Sequence, residues 1–250
     1  MIMSIVIQIT DHTFIRQQYT LSSSMAREAS IKTVGAFPFW ENMKYIVMCG
    51  GTYSFWQSSR WETVIKGEKL VERTIRLLRE NGIEDIAISS NDKKFEKYGV
   101  PVLVHNNPFR TDDLESTVWW SGFYPMDEPV CYLFGDVYFS DRAIQTIVNY
   151  QTDDIMLFAS VKPFDDRYIK NWAEPFGFKV VDTDHFHRCL EQLSEYHRRN
   201  MFNRHPCSWE LWQIIKHTPL NEIRRNYCGI SDYTCDIDSP EDAVRLEERL

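Results

Sequence analysis

The feature that most constrains this chain is an order of segments. From residue 44 onward, short continuous apolar runs alternate with amphipathic ones. Tyr45–Cys49 is an apolar run of the kind found in strands buried on both faces, and Gly50-Gly51 closes it. Gly67–Asn81 follows, with Leu70, Val71, Ile75 and Leu78 at helical spacing and Gly82 as the stop signal. Further on, Asp85–Ser89 predicts a strand, Asp92–Tyr98 a short helix and Val102–Val104 a third strand. Asp112–Gly122 predicts a helix with Thr111 or Asp112 at its N-cap. Val130–Phe134 reads as a buried strand and Ser140–Tyr150 as a helix. Ile155–Val161 and Phe178–Val181 predict strands, and His185–Asn200, Ser208–His217 and Ser239–Leu250 predict helices. Such alternation argues for a mainly parallel α/β sheet. In such sheets ligands bind beyond the carboxyl ends of the strands.

Residues 1–42 do not share this pattern. Gln17–Ser24 is polar without clear periodicity, and Gly35–Trp40 is aromatic but irregular. The expected organisation is an N-terminal extension over 1–42, disordered or not native, and one domain over 43–250. Phe37, Phe39 and Trp40 leave an ordered extension open.

Composition excludes several classes. The formal net charge is −8, which speaks against a broad nucleic-acid-binding face, since that needs clustered Lys and Arg. A small anionic substrate needs only a local positive pocket. No apolar run approaches the ~20 residues of a membrane span. None of the six cysteines forms a C-x-x-C pair, and Cys49 and Cys131 lie inside apolar runs as small core residues. A reducing cytoplasm is the expected compartment.

Three places carry chemistry. Gly50-Gly51-Thr52 follows a strand, so its amides can approach phosphates, although an ordinary turn explains two glycines equally well. Neither G-x-G-x-x-G nor a Walker A loop is present. Asp136 stands after Val130–Phe134 and Gly135, where a sheet presents ligands, and its hard oxygens suit Mg²⁺. The alternative is a turn aspartate or a helix N-cap. Asp236 and Asp238 alternate and so face one side, either toward a cation or toward water. Their neighbours Ser239, Pro240 and Asp242 are accounted for as a helix N-cap, first helical residue and capping-box acid. Trp209 and Trp212 could line an acceptor pocket or sit in the core, and Lys162 could reach a phosphate or be solvated.

These motifs, in this order, resemble the sugar-phosphate and alcohol-phosphate nucleotidyltransferases, including the cytidylyltransferases, over residues 44–250. Gly67–Ile75 is similar to the family's G-k-p-L-i-e-r-t-i stretch, Asn107–Thr117 to its base-contacting segment, and Asp236–Asp242 to its E-I-D-x-x-x-D ending. The resemblance implies an α/β, Rossmann-like GT-A-type fold, with a mixed, mostly parallel sheet and helices on both faces. It implies Mg²⁺ held by Asp136 and Asp238. Cys49, Gly50, Gly51 and Thr52 would hold the nucleotide phosphates, together with Arg60, which stands at the family's Pro-Lys position. Asn107, Thr111, Asp112 and Ser116 would contact the base or ribose. The implied reaction joins an NTP, CTP as first guess, to a phosphorylated sugar or small alcohol and releases pyrophosphate. The implied partners are the NTP and this acceptor, with a homodimer left open. The alternatives are a GT-A glycosyltransferase using a nucleotide-sugar donor and a non-catalytic nucleotide-binding homologue. Here the family's glycine-rich loop departs, with Tyr53 at its second glycine and Phe55 at its arginine.

Overall fold

The structure, a computed structural model, describes residues 3–9, 13–19, 43–50, 60–90, 92–104, 119–161, 173–203, 205–220 and 225–250. The chain divides into two units, Met1–Phe39 and Trp40–Leu250. In the first unit, strand β1 (Met3–Ile9) pairs antiparallel with β2 (Thr13–Tyr19), with Met3 opposite Tyr19 and Ile9 opposite Thr13. The sequence reading assigned no element here, although β-branched Ile5, Val6, Ile7 and Ile9 favour a strand.

The second unit opens with β3 (Lys44–Met48), whose residues after Lys44 are buried. A short 3-10 turn, Arg60–Glu62, leads into a hairpin of β4 (Val64–Ile65) and β5 (Glu68–Lys69). Lys66 and Gly67 turn it with φ of 50° and 82°, and positive φ at both central residues matches the twist of a tight hairpin. Helix α1 therefore begins at Leu70 and runs to Glu80, later than the expected start at Gly67, which the turn occupies. Then come β6 (Ile86–Ser89), a 3-10 helix over Lys93–Tyr98 and the two-residue β7 (Val102–Leu103). Of the helix expected over 112–122, the described part is a 3-10 turn, Trp119–Gly122.

Strand β8 (Val130–Phe134) is followed directly by β9 (Val137–Tyr138) and helix α2 (Asp141–Asn149). β10 (Ile155–Ser160) and β11 (Pro175–Val180) precede helices α3 (Thr183–Arg198) and α4 (Ser208–Ile215). β12 (Cys228–Ile230), β13 (Cys235–Asp236) and helix α5 (Pro240–Glu247) close the chain's element order. Strands β9 and β12 were not foreseen, β13 falls where the alternation of Asp236 and Asp238 implies a strand, and β11 begins before the expected Phe178.

Seven strands form one sheet in the order β12-β10-β11-β8-β3-β6-β7. Every pairing is parallel except those of β11 with β10 and β8, so the sheet is mixed and mostly parallel. Its two edges are short strands, a form that discourages pairing with other chains. Alternate residues of β3 enter opposite layers, which is the period-two geometry of a strand with both faces covered. Tyr45 and Val47 pack with Val71, Ile75, Ala143 and Ile147 of α1 and α2. Ile46 and Met48 pack with Phe186, Leu190, Trp209 and Trp212 of α3 and α4. Each fully buried aliphatic side chain of this kind stabilises by roughly 2 kcal/mol. Trp209 and Trp212 are core residues: their indole N–H groups donate to the carbonyls of Ala173 and Arg225 at 3.2 and 2.7 Å. Cys49 and Cys131 are likewise buried in the core, and all six cysteines are free thiols.

A lysine lies inside the core. Lys179 on β11 is 1% exposed. Its ammonium donates to the carbonyls of Ile147, Val148 and Tyr150 at 2.7, 3.1 and 2.9 Å. Those carbonyls end α2, so a cation from the sheet satisfies acceptors the helix leaves open and meets the negative end of its dipole. Burial pulls the Lys179 pKa below the ordinary lysine range. Replacing it by the near-isosteric Lys179→Met leaves those acceptors unsatisfied. Urea unfolding is expected to show a loss of about 3 kcal/mol, and an unchanged midpoint would show that the carbonyls need no donor.

Candidate functional site

The site is built at the carboxyl edge of β3 and β8. β8 ends at Phe134, and Gly135 then brings the chain against β3: the Gly135 N–H donates to the Met48 carbonyl at 3.0 Å. A Cβ at Gly135 would lie 2.6 Å from the Met48 oxygen, 2.7 Å from Cys49 Sγ and 2.8 Å from Trp61 Cδ1. Only glycine permits this approach, which sets Asp136 beside the end of β3. Asp136 is 8% exposed.

The second group of carboxylates arrives through a two-residue pairing. β13 runs antiparallel to β9, with Asp236 opposite Val137 and Cys235 opposite Tyr138. The Ile237 N–H donates to the Asp136 carbonyl at 2.9 Å, extending the pairing by one bond. Asp236 and Asp238 thus lie beside Asp136. Ile237, between them, is fully buried with Leu70, Tyr138 and Leu246, which fixes the alternation. Beyond Asp238 the backbone is held by a capping box. Asp242 accepts from the N–H groups of Asp238 and Ser239 at 3.1 and 3.0 Å, and Ser239 Oγ accepts from the Asp242 N–H at 3.2 Å. The capping box is the one the sequence pattern implied, and through it Asp242 also positions the backbone of Asp238.

A fourth carboxylate, Glu174, was not anticipated. It stands just before β11, the reversed strand, so it lies at the same edge as the residues that follow β8. Its backbone is held by Ser160: the Glu174 N–H donates to Ser160 Oγ at 2.8 Å, and the Glu174 carbonyl accepts from the Ser160 N–H at 2.9 Å. Glu174, Asp236 and Asp238 each offer an oxygen within 4.8 Å of the others. Among the described residues the Asp236 Oδ1 atom is buried and has no hydrogen-bond partner. Burial, then the nearby Asp136, Asp238 and Glu174, push the Asp236 carboxyl well above the usual range. Hard oxygen donors, one of them buried and unsatisfied, fit an ion such as Mg²⁺.

Arg60 enters this acidic group. Its Nη2 lies 2.5 Å from Asp136 Oδ2 and its Nη1 3.3 Å from Asp238 Oδ1, with the Arg60 side chain 11% exposed. The sequence reading set Arg60 at the phosphates; in the structure it bridges the two aspartates expected to hold the metal. The neighbouring Glu62 anchors the turn that presents it, accepting from Lys97 Nζ and Tyr98 Oη at 2.6 Å each. Burial would raise the Glu62 carboxyl, but those two bonds and the charges of Lys97 and Lys69 outweigh it and bring it to about 2.

Of the other expected residues, Cys49 and Gly50 follow β3. Cys49 is buried under Gly135, and burial, with Asp136 and Glu62 nearby, raises its thiol. Gly50 is exposed with open space around its Cα. Gly51, Thr52, Asn107, Thr111, Asp112 and Ser116 lie outside the described residues, as do Tyr53, Phe55 and Lys162.

No family model matches the sequence, and no curated protein matches it. Solved structures do. A Bacillus anthracis protein named as a glucose-1-phosphate thymidylyltransferase matches with a TM-score of 0.50 at 14% identity, over 82% of this chain and 94% of its own. A 4-diphosphocytidyl-2C-methyl-D-erythritol synthase from Anaerococcus prevotii matches at 0.49 and 13%, over 82% and 96%. A CTP:phosphocholine cytidylyltransferase from Streptococcus pneumoniae matches at 0.46 and 16%, over 82% and 98%. The first likeness, taken with the sheet order, shows the fold. It is the Rossmann-like, GT-A-type α/β fold that the sequence motifs implied. Among the described residues no helix is long and apolar enough to cross a membrane.

Two outcomes follow from this geometry. Gly135→Ala forces a methyl group into the Met48 carbonyl and is expected to cost about 3 kcal/mol in chemical unfolding; a loss below the error of the method would remove the close-approach argument. Because the folded Glu62 carboxyl titrates below its ordinary value near 4.5, its contribution to stability is full above that value and is lost as pH falls toward 2. Unfolding midpoints over that window should fall less steeply for Glu62→Gln than for the wild type.

Proposed function

We propose that this protein is a nucleotidyltransferase that joins an NTP to a phosphorylated sugar or small alcohol and releases pyrophosphate. The observation that carries this reading is the convergence of Asp136, Asp236, Asp238 and Glu174 beside Arg60, at the sheet edge where this class of fold binds ligands. CTP is the first nucleotide to test, by resemblance of the sequence motifs, and Mg²⁺ is the proposed cofactor. A cytoplasmic site of action accords with six free cysteines.

In this reading an oxygen of the acceptor phosphate attacks the α-phosphorus in line. The bond from that phosphorus to the bridging oxygen breaks, and its electron pair leaves with pyrophosphate. The attacking phosphate is already ionised, so no side chain has to remove a proton. The chain's own task is to hold charge and geometry. The amides at Gly50 and Gly51 and the guanidinium of Arg60 serve the β- and γ-phosphates. The segment from Asn107 to Ser116 serves the base and ribose. Glu174, Asp236 and Asp238, whose oxygens lie within 4.8 Å of one another, are the residues that would hold Mg²⁺, with Asp136 beside them. When bound, that ion would neutralise charge growing on the phosphates. Ser160, Ser239 and Asp242 act indirectly, by fixing the backbone from which Glu174 and Asp238 project.

The test is pyrophosphate release with Mg²⁺, each of the four NTPs, and a panel of sugar phosphates and phosphocholine-like acceptors. One NTP–acceptor pair is expected to turn over, and Asp136→Ala or Asp238→Ala is expected to lower the rate at least ~100-fold. Release of a nucleoside diphosphate from a nucleotide-sugar donor would instead identify a GT-A glycosyltransferase. Metal-dependent NTP binding without turnover would identify a binding protein.

A further inference from the structure

Arg60 binds a carboxylate, Asp238, that also belongs to the group able to hold a divalent ion. Its two terminal nitrogens reach one oxygen of Asp136 and one of Asp238, at 2.5 and 3.3 Å. The bridge draws together carboxylates from distant parts of the chain that would otherwise repel. Asp238 in turn offers an oxygen within 4.8 Å of oxygens of Asp236 and Glu174, so the guanidinium meets the edge of a larger carboxylate group. Close like charges need a compensating cation, and the strength of the pairing rises as water is excluded. The Asp136 and Arg60 side chains are each 11% exposed, so this pair is better shielded than a surface salt bridge.

The same guanidinium cannot serve both posts. If it lies in the plane between Asp136 and Asp238, it neither contacts a triphosphate nor leaves those oxygens open to a metal. The planar fork suits both roles, because Arg pairs with carboxylate and phosphate in the same two-pronged way. Trp61, the next residue, is buried against Gly135, and Glu62 is tied to Lys97 and Tyr98. The backbone at Arg60 is thereby anchored on its C-terminal side.

We propose that Arg60 is an internal counter-cation that closes the carboxylate group in the ligand-free protein, competes there with a divalent ion, and is released to the phosphates when a nucleotide enters. The nucleotide part rests on the function proposed above; the competition with a divalent ion does not. Metal affinity without nucleotide is therefore held low by the chain itself. The phosphates that accept Arg60 raise that affinity by removing the competitor, a coupling that works in both directions.

The experiment isolates the competition by omitting nucleotide and acceptor. Mn²⁺ binding is measured by the loss of the free-ion electron paramagnetic resonance signal, at fixed pH and low salt, for the wild type, Arg60→Met, Arg60→Lys and the double variant Arg60→Met with Asp238→Asn. Arg60→Met is expected to bind Mn²⁺ at least ~10-fold more tightly than the wild type, since the displaced charge no longer has to be moved. Arg60→Lys, which keeps the charge but cannot bridge two carboxylates, should fall between them and covers the case in which Arg60→Met does not fold. The double variant should lose the gain. Mn²⁺ should raise the thermal midpoint of Arg60→Met more than that of the wild type. Equal affinity in wild type and Arg60→Met, weaker binding in Arg60→Met, no binding in any protein, or a gain that survives Asp238→Asn each overturns the proposal. Pyrophosphate release by the wild type alongside equal Mn²⁺ affinities would sink the counter-cation role and leave the transferase reading standing.

Discussion

Like charges held close together in a shielded place are the constraint on which this structure turns. Asp136, Asp236, Asp238 and Glu174 come from three separated stretches of chain, and each is fixed by a backbone device. Gly135 permits the close approach behind Asp136. The β9–β13 pairing carries Asp236, and the Asp242 capping box holds Asp238. Ser160 holds Glu174. Their mutual repulsion works against folding unless a cation stands among them. The local sequence is therefore chosen as much for what it positions as for what it packs, and residues with no chemistry of their own, such as Gly135, Ile237 and Asp242, are bound to the site.

Much of the sheet was legible in the sequence. The strands buried on both faces, β3, β8 and β10, are continuous apolar runs that no polar face interrupts. The helices carry a clear periodicity, and at Ser239 the N-cap was legible too. What could not be read is short or long-range. A two-residue strand such as β9 has no period to detect, and its partner lies far along the chain. The hairpin at Lys66–Gly67 was absorbed into the following helix because Glu68 and Lys69 are good helix formers. Its two positive φ values, not its composition, set the boundary.

The site was legible to a similar depth. Asp136 and the Asp236–Asp238 pair were visible because carboxylates next to apolar strands are unusual. Glu174 was not, since nothing local marks an acid before a strand whose direction is unknown. The position of Arg60 was visible but not its partner: a sequence states a charge, whereas the structure states which of several opposite charges it meets. Trp209 and Trp212 illustrate the reverse. Their aromatic rings invited a binding role, and the packing against β3 from the far layer accounts for them as core.

The direction of β11 has a consequence of its own. In a sheet whose strands all run one way, one rim is served only by the loops that leave the strands. A single reversed strand breaks that rule, because it delivers to the same rim a residue that is arriving. Glu174 reaches the acidic group on the way in, while Cys49, Gly50 and Asp136 reach it on the way out. A loop on the way out can change length and shape without disturbing the strand before it. A residue on the way in is tied to the register of the strand it begins, so Glu174 is the acid whose place depends most directly on the alignment of the sheet.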